Sequence, residues 1–232
     1  MVDGPASELP ENHEAPIVSV VVCAYQARDQ IDIALGSLRA QDFEEPYEVI
    51  VVTSGGDSTE AYVRRRYPEV RVIAAQERLY PGPARNRGVA AARGTYVAFL
   101  PADGHARRDW LRRRVARHRD GFQSVGGAIG NGTPWHPVGS AGYYLEYAPL
   151  VPSERVLAQH AIPHCLSFER AVLLRLGGYP EDVETGEDTL LNTRCIEEGI
   201  TVGFEPRAIL TTQTRGESFH FSAISTSTGG GW

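Results

Sequence analysis

From Pro16 onward, short apolar runs alternate with longer stretches in which apolar residues recur at every third or fourth position. The runs are Ile17 to Cys23 (IVSVVVC), Glu48 to Thr53 (EVIVVT), Val70 to Ala75 (VRVIAA) and Thr95 to Leu100 (TYVAFL). They are brief and rich in β-branched residues, which predicts strands covered on both faces. Asp29 to Gln41 sets Ile31, Ala34, Leu35 and Leu38 on one helical stripe. A second helix is predicted from the capping-box pattern Asp57-Ser58-Thr59-Glu60, and a third over Pro83 to Arg93, stopped by Gly94.

Strand and helix in alternation imply right-handed crossovers and a mainly parallel, doubly wound α/β sheet, with ligands at the carboxyl ends of its strands. After Phe122 the rhythm loosens, as Gly126, Gly127, Gly130, Gly132, Pro134, Pro137 and Gly139 follow closely. Helices are then predicted near Phe168 to Leu176 and over Glu187 to Glu198. With no repeat and no linker, the 232 residues read as one domain over 16–221. Met1 to Ala15 is acidic, and Ser222 to Trp232 is rich in Ser, Thr and Gly, so a disordered lead-in and a flexible tail are expected. No run approaches the ~18 to 20 apolar residues of a bilayer span. A cytoplasmic protein is expected.

Composition narrows the chemistry. A hydrophobic share of 42% with 22% charged residues suits a globular domain, and a net charge of -6 argues against a nucleic-acid footprint over the whole surface. All 23 basic residues are Arg, which excludes a Schiff-base or P-loop Lys. Cys23, Cys165 and Cys195 are widely spaced in apolar settings and read as reduced core thiols.

The turn after the first strand, Ala24-Tyr25-Gln26-Ala27-Arg28, lacks the glycines of a dinucleotide-binding loop. It offers Tyr25 instead, at a place suited either to packing or to a flat base. The second strand ends in Thr53-Ser54-Gly55-Gly56-Asp57, which is either a plain capped turn or a seat for an anionic or hydroxyl-rich ligand. The fourth runs into Pro101-Ala102-Asp103-Gly104-His105, placing a carboxylate at a strand end, where burial requires a cation or hydrogen bonds. Glu187 and Asp188 open a helix, where acids are favoured with or without a function.

In order and spacing these pieces resemble the family-2 glycosyltransferases of the GT-A fold. The matching segments are VSVVVCAY from Val18, EVIVVTSGG from Glu48, Ala84-Arg-Asn-Arg-Gly88, TYVAFLPAD from Thr95, LSFERAVLLRLGGYPE from Leu166 and GEDTLLNTRCIEEG from Gly186. The resemblance implies a Rossmann-like three-layer α/β/α sandwich. It also implies transfer of a sugar, with inversion, from a nucleoside-diphosphate sugar of the uridine type to an acceptor hydroxyl.

It assigns roles as well. Ala24, Tyr25, Thr53, Ser54, Arg85, Asn86, Ala102 and Asp103 would contact the donor, and Asp103 would hold Mg²⁺ or Mn²⁺ on its diphosphate. Asp188, with Glu187 beside it, would supply the general base, and Trp135 and His164 would lie on the acceptor side. The acceptor would be a glycan or a lipid-linked glycan.

The sequence departs from the family at Pro101, which replaces the first Asp of the metal motif, and at Thr53-Ser54, which replaces a second-strand Asp. Where relatives carry a His near the metal it reads Ala208 to Thr212. Asp57 or His105 could compensate, or be solvated loop residues. There is no Gln-x-x-Arg-Trp segment, so a single addition is favoured over processive synthesis.

Arg107 to Arg119 holds seven arginines with Trp110, Leu111 and Val115. This is either a solvated amphipathic helix or a surface for anionic lipid on the inner face of the plasma membrane. The rival to an active transferase is a degenerate GT-A domain that binds a nucleotide sugar or a partner without turnover.

Overall fold

The structure, a computed structural model, describes residues 15–153 and 166–212. Of the expected flanks, 1–14 and 222–232 lie outside it.

The first half runs β1 (Val18–Tyr25), α1 (Ile31–Arg39), β2 (Tyr47–Ser54), α2 (Thr59–Arg66), β3 (Arg71–Ala75), α3 (Pro81–Ala91) and β4 (Tyr96–Pro101). The second half adds β5 (His105–Ala106), α4 (Trp110–Arg119), β6 (Ser124–Asn131), α5 (Pro137–Tyr147), β7 (Ser167–Glu169), α6 (Arg170–Arg175), α7 (Glu187–Glu197) and β8 (Val202–Thr212). Among the described residues these form one eight-stranded sheet in the order β3-β2-β1-β4-β7-β6-β8-β5. The pairs β1–β2, β1–β4, β2–β3 and β6–β8 are parallel, while β4–β7, β6–β7 and β5–β8 are antiparallel.

The four expected strands fall within two residues of their predicted limits. Val20, Val21 and Val22 are all buried, as both faces of β1 are covered. On α1 the predicted stripe, Ile31, Ala34, Leu35 and Leu38, is at most 1% exposed. Each of the larger side chains there contributes roughly 1.5 to 3 kcal/mol by burial. The expected capping box does not close: Ser58 is the N-cap without a side-chain cap bond, Asp57 before it accepts from the Thr59 amide at 2.7 Å, and Glu60 turns forward to Arg64 at 2.9 Å. The third helix starts two residues before its expected limit, because Pro81 occupies the first helical position, where its fixed φ fits and its missing N–H is not needed.

The second half corrects the sequence reading. The glycine cluster forms β6, a buried strand in the sheet. A Cβ at Gly127 would stand 2.2 Å from the Ala208 carbonyl, so the bulged approach of β8 selects glycine where propensity speaks against a strand. Phe168 belongs to β7, and the helix begins only at Arg170. The glycine- and proline-rich stretch after Phe122 also contains α5, which leaves Val138, Tyr144 and Leu145 exposed.

The arginines of α4 and its approach are mostly engaged within the protein. Arg107 and Arg113 pair with Asp109, Arg112 with Asp42, Arg117 with Asp120 and Arg119 with Glu45. Arg114 is buried and donates to the Val125 carbonyl at 2.7 Å. Arg108 is exposed, and Arg107, Arg112 and Arg119 remain about half exposed despite their partners.

Candidate active site

The carboxyl ends of β1, β2 and β4 border a cavity of about 690 Å³ that is also lined by residues 78–81 and 184–185. Ala24, Tyr25, Ser54, Arg85, Ala102, Asp103 and Asp188 line it, so most of the residues singled out from the sequence converge there. Thr53, 3% exposed, is not part of the lining. Trp135 is exposed in the turn before α5, outside the cavity wall, and His164 lies outside the described residues.

Tyr25 ends β1 and is 40% exposed. It packs on Gly55, whose φ of +83° and closeness to the ring both exclude a larger residue. The Arg78 guanidinium lies 4.8 Å from the Tyr25 ring centroid and 5.1 Å from that of Tyr80. Tyr80 in turn donates to Glu184 at 2.7 Å, tying the start of α3 to the approach of α7. Sequence reasoning passed over Arg78, Tyr80 and Glu184; Pro81 as a helix-start signal would have placed the first two at the mouth of the site.

At the end of β4, Asp103 accepts a hydrogen bond from the Thr212 hydroxyl at 3.3 Å. Thr212 ends β8, so the stretch lacking the family's His still reaches the Asp103 carboxylate. The two residues expected to compensate are engaged elsewhere. Asp57 accepts from the Gln26 amide at 2.5 Å as well as from Thr59, and exposed His105 pairs in β5 with Thr211.

The acidic pair is anchored to α3. Arg85 pairs with Glu187 and places Nη1 3.3 Å from Asp188 Oδ1. The three side chains are 20%, 8% and 14% exposed, and Asp188 faces the cavity. Burial disfavours the Arg85 charge, but Asp188, Tyr179, Cys23 and Glu187 outweigh it and raise its pKa, so the guanidinium stays protonated. Burial pushes the neighbouring Cys23 thiol up to about 11, against the pull of Arg85, which leaves it an inert apolar wall. Asn86 donates to the Tyr179 carbonyl at 2.9 Å and to Glu181 at 2.8 Å, and accepts from the Tyr179 amide at 2.8 Å. Its polar atoms brace the 179–181 loop.

No group of three or more His, Cys, Asp or Glu side chains suited to a metal occurs among the described residues. Asp103 with a neighbouring hydroxyl nevertheless suits a hard cation that takes its remaining oxygen ligands from substrate phosphates, as Mg²⁺ commonly does.

An α/β sheet with a cavity at its strand ends, an acid just past β4 and Asp188 facing that cavity has the architecture of the GT-A fold. The sequence profile described as Glycosyl transferase family 2 matches residues 19–177, and the chain belongs to that family. It is 39% identical over 109 residues to the succinoglycan biosynthesis protein ExoO of Rhizobium meliloti, covering 47% of this chain and 31% of that one. It is 26% identical over 198 residues to the glycosyltransferase AglE of Haloferax volcanii, covering 82% and 64%.

Among solved structures, S. aureus TarS 1-349 in complex with UDP-GlcNAc superposes with a TM-score of 0.70 at 18% identity, over 89% of this chain and 61% of that one. The mannosyltransferase PcManGT from Pyrobaculum calidifontis, in complex with GDP-Man and Mn²⁺, gives 0.69 at 24% identity, over 94% and 63%. The chain thus spans less than two thirds of each of these relatives. No helix among the described residues is long and apolar enough to cross a membrane.

Proposed function

We propose that this chain transfers a sugar from a nucleoside-diphosphate sugar to an acceptor hydroxyl, with inversion and one addition per encounter. The observation that carries the reading is that Asp103 and Asp188 line the same cavity from different elements. A base and a diphosphate-binding group must flank the sugar, and this arrangement supplies both.

In this reading Tyr25 and Ser54 receive the nucleoside of a uridine-type donor, and Asp103 turns its carboxylate to the diphosphate. A divalent cation bound there, Mg²⁺ or Mn²⁺, would supply Lewis-acid neutralisation of the leaving diphosphate. Asp188 accepts the proton of the acceptor hydroxyl as that oxygen attacks the anomeric carbon from the face opposite the diphosphate. Arg85 holds Asp188 in place and favours its ionised, proton-accepting form.

A glycan or lipid-linked glycan is the proposed acceptor, and the protein is proposed to work in the cytoplasm.

The decisive experiment is hydrolysis of nucleotide sugars by the purified protein, with and without Mn²⁺. Saturable release of nucleoside diphosphate that disappears in Asp188→Asn, while that variant still binds the nucleotide, is the expected result. Pro101 at the first metal-motif position favours the rival reading of a binding domain without turnover. Nucleotide binding with no hydrolysis and no transfer would select it.

A further inference from the structure

Helix α5 turns an apolar face to solvent. Gly139, Gly142 and Tyr143 are buried, and the Tyr143 hydroxyl donates to the Ile129 carbonyl at 2.7 Å, so one side of the helix is fixed on β6. The other side carries Pro137, Val138, Ala141, Tyr144 and Leu145, all exposed. At about 100° per residue these five fall within an arc of roughly 120°. Just before the helix, Trp135 is 81% exposed. From Gly132 to Ser153 the only Asp, Glu, Lys or Arg is Glu146, which stands roughly 140° round the helix from Ala141, near the centre of that arc.

A surface helix of a globular domain sets charged and polar residues opposite the core, and a helix that is apolar all round has both sides covered. Among the described residues nothing covers this face of α5. A protein partner fits it poorly, because a stable interface takes about 20 to 30 residues a side and this face with Trp135 offers six. Charge points the same way. The arc has no charged rim to pair with a protein surface and is complementary to an uncharged, apolar phase. Trp and Tyr, which stand toward its two ends, are enriched where the hydrocarbon of a bilayer meets water, since each joins an apolar ring to a polar tip.

We infer that α5 is an interfacial helix that lays its Val138–Leu145 face, with Trp135, on a phospholipid bilayer. Such a face needs no matched partner surface, because each side chain contributes through its own buried apolar area. The Gly132 amide donates to the Thr212 carbonyl at 2.9 Å, and the Thr212 hydroxyl donates to Asp103. The start of the apolar face therefore adjoins the rim of the cavity, which suits an acceptor presented at a membrane surface. Adsorption through the arginines of α4 would require anionic headgroups and would be screened by salt, whereas an apolar face depends on neither. Lipid binding needs no donor and no turnover, so the inference stands or falls apart from the transferase reading.

The test is flotation of the intact chain with vesicles of phosphatidylcholine alone and of phosphatidylcholine with phosphatidylglycerol, each at low and at high salt. Binding to both kinds of vesicle that persists at high salt is expected. Leu145→Gln and Trp135→Ser should each weaken the partition roughly tenfold. Their melting temperatures should match the wild type, since the two side chains are 77% and 81% exposed. Glu146→Gln, off the arc, and Arg112→Gln, on α4, should leave binding to phosphatidylcholine unchanged. Absence of binding to either vesicle, binding confined to anionic vesicles and lost at high salt, or a partition that both arc variants leave intact would each overturn the assignment. Self-association of the free chain that the same two variants abolish would also overturn it, and would make a second copy the occupant.

Discussion

Arg85 holds Asp188 in the cavity wall, with Nη1 3.3 Å from Oδ1, while pairing with Glu187, the preceding residue of α7. One guanidinium thus compensates two adjacent carboxylates that are both largely shielded from water. Arg85→Met should leave those carboxylates to repel each other and lower stability by roughly 2 to 4 kcal/mol, less than in a sealed core because Asp188 borders the cavity. Chemical denaturation measures the loss. Asp188→Asn, which removes one of the two negative charges, should restore part of it in the double variant.

Asp103 and its hydroxyl partner Thr212 offer a second test. Asp103→Ala should abolish the increase in nucleotide affinity caused by Mn²⁺ and leave a weaker, cation-independent component. Thr212→Val should reduce that increase only a fewfold, since it removes one hydrogen bond from the carboxylate and keeps the charge. Calorimetric titration of UDP with Mn²⁺ and with EDTA separates the two outcomes.

Gly127→Ala should be among the most damaging single-atom additions in the chain. The added methyl would meet a backbone carbonyl of β8, which cannot rotate aside as a side chain could. A loss of about 3 kcal/mol or more is expected, or failure to fold. The same change at Gly36, where nothing lies within 4 Å, should be neutral or mildly stabilising.

His118 makes stability depend on pH. Burial, together with the nearby Arg114, holds its pKa down to about 4 against an ordinary 6.5, although the Phe122 carbonyl that its Nδ1 contacts favours the charged form. Between these two values the unfolded chain binds more protons than the folded one, so stability is fully present above about pH 6.5 and is lost as pH falls toward 4. The contribution is of the order of 3 kcal/mol. Melting temperatures across this window should decline steeply in the wild type and less so in His118→Gln.

Asn86→Ala should cost about 1 to 3 kcal/mol, because it leaves the Tyr179 amide and carbonyl without their side-chain partner. The affinity for UDP should be unchanged if the residue braces the loop. A selective loss of nucleotide affinity at full stability would return it to the donor-contacting role suggested by the sequence.

The first half of the fold was legible because its strands are apolar on both faces and its helices carry complete stripes, as Val20 to Val22 and Ile31 to Leu38 illustrate. The second half hid its strands for a physical reason. β6 is built from glycines that serve close approach to β8, and β7 has only three residues. Asp103 and Asp188 were visible in the sequence as acids at the end of a strand and the start of a helix. The pairing of Arg85 with Glu187 and Asp188, the hydroxyl of Thr212 at Asp103 and the position of Arg78 depend on long-range contacts, which no local pattern encodes.

The brevity of β7 also shapes the molecule. It pairs with Tyr96 to Ala98 on one side and with Ser124 and Val125 on the other. Beyond it, Phe99 to Pro101 and Gly126 to Asn131 have no strand on their facing sides among the described residues. The sheet is joined at its base and notched at its rim, with Asp103 just past the end of one prong and Thr212 at the tip of the strand flanking the other. A full-length strand in that position would carry the ladder to the rim; stopping after three residues leaves the two prongs to be joined there by side chains instead, the Thr212 hydroxyl reaching the Asp103 carboxylate at 3.3 Å.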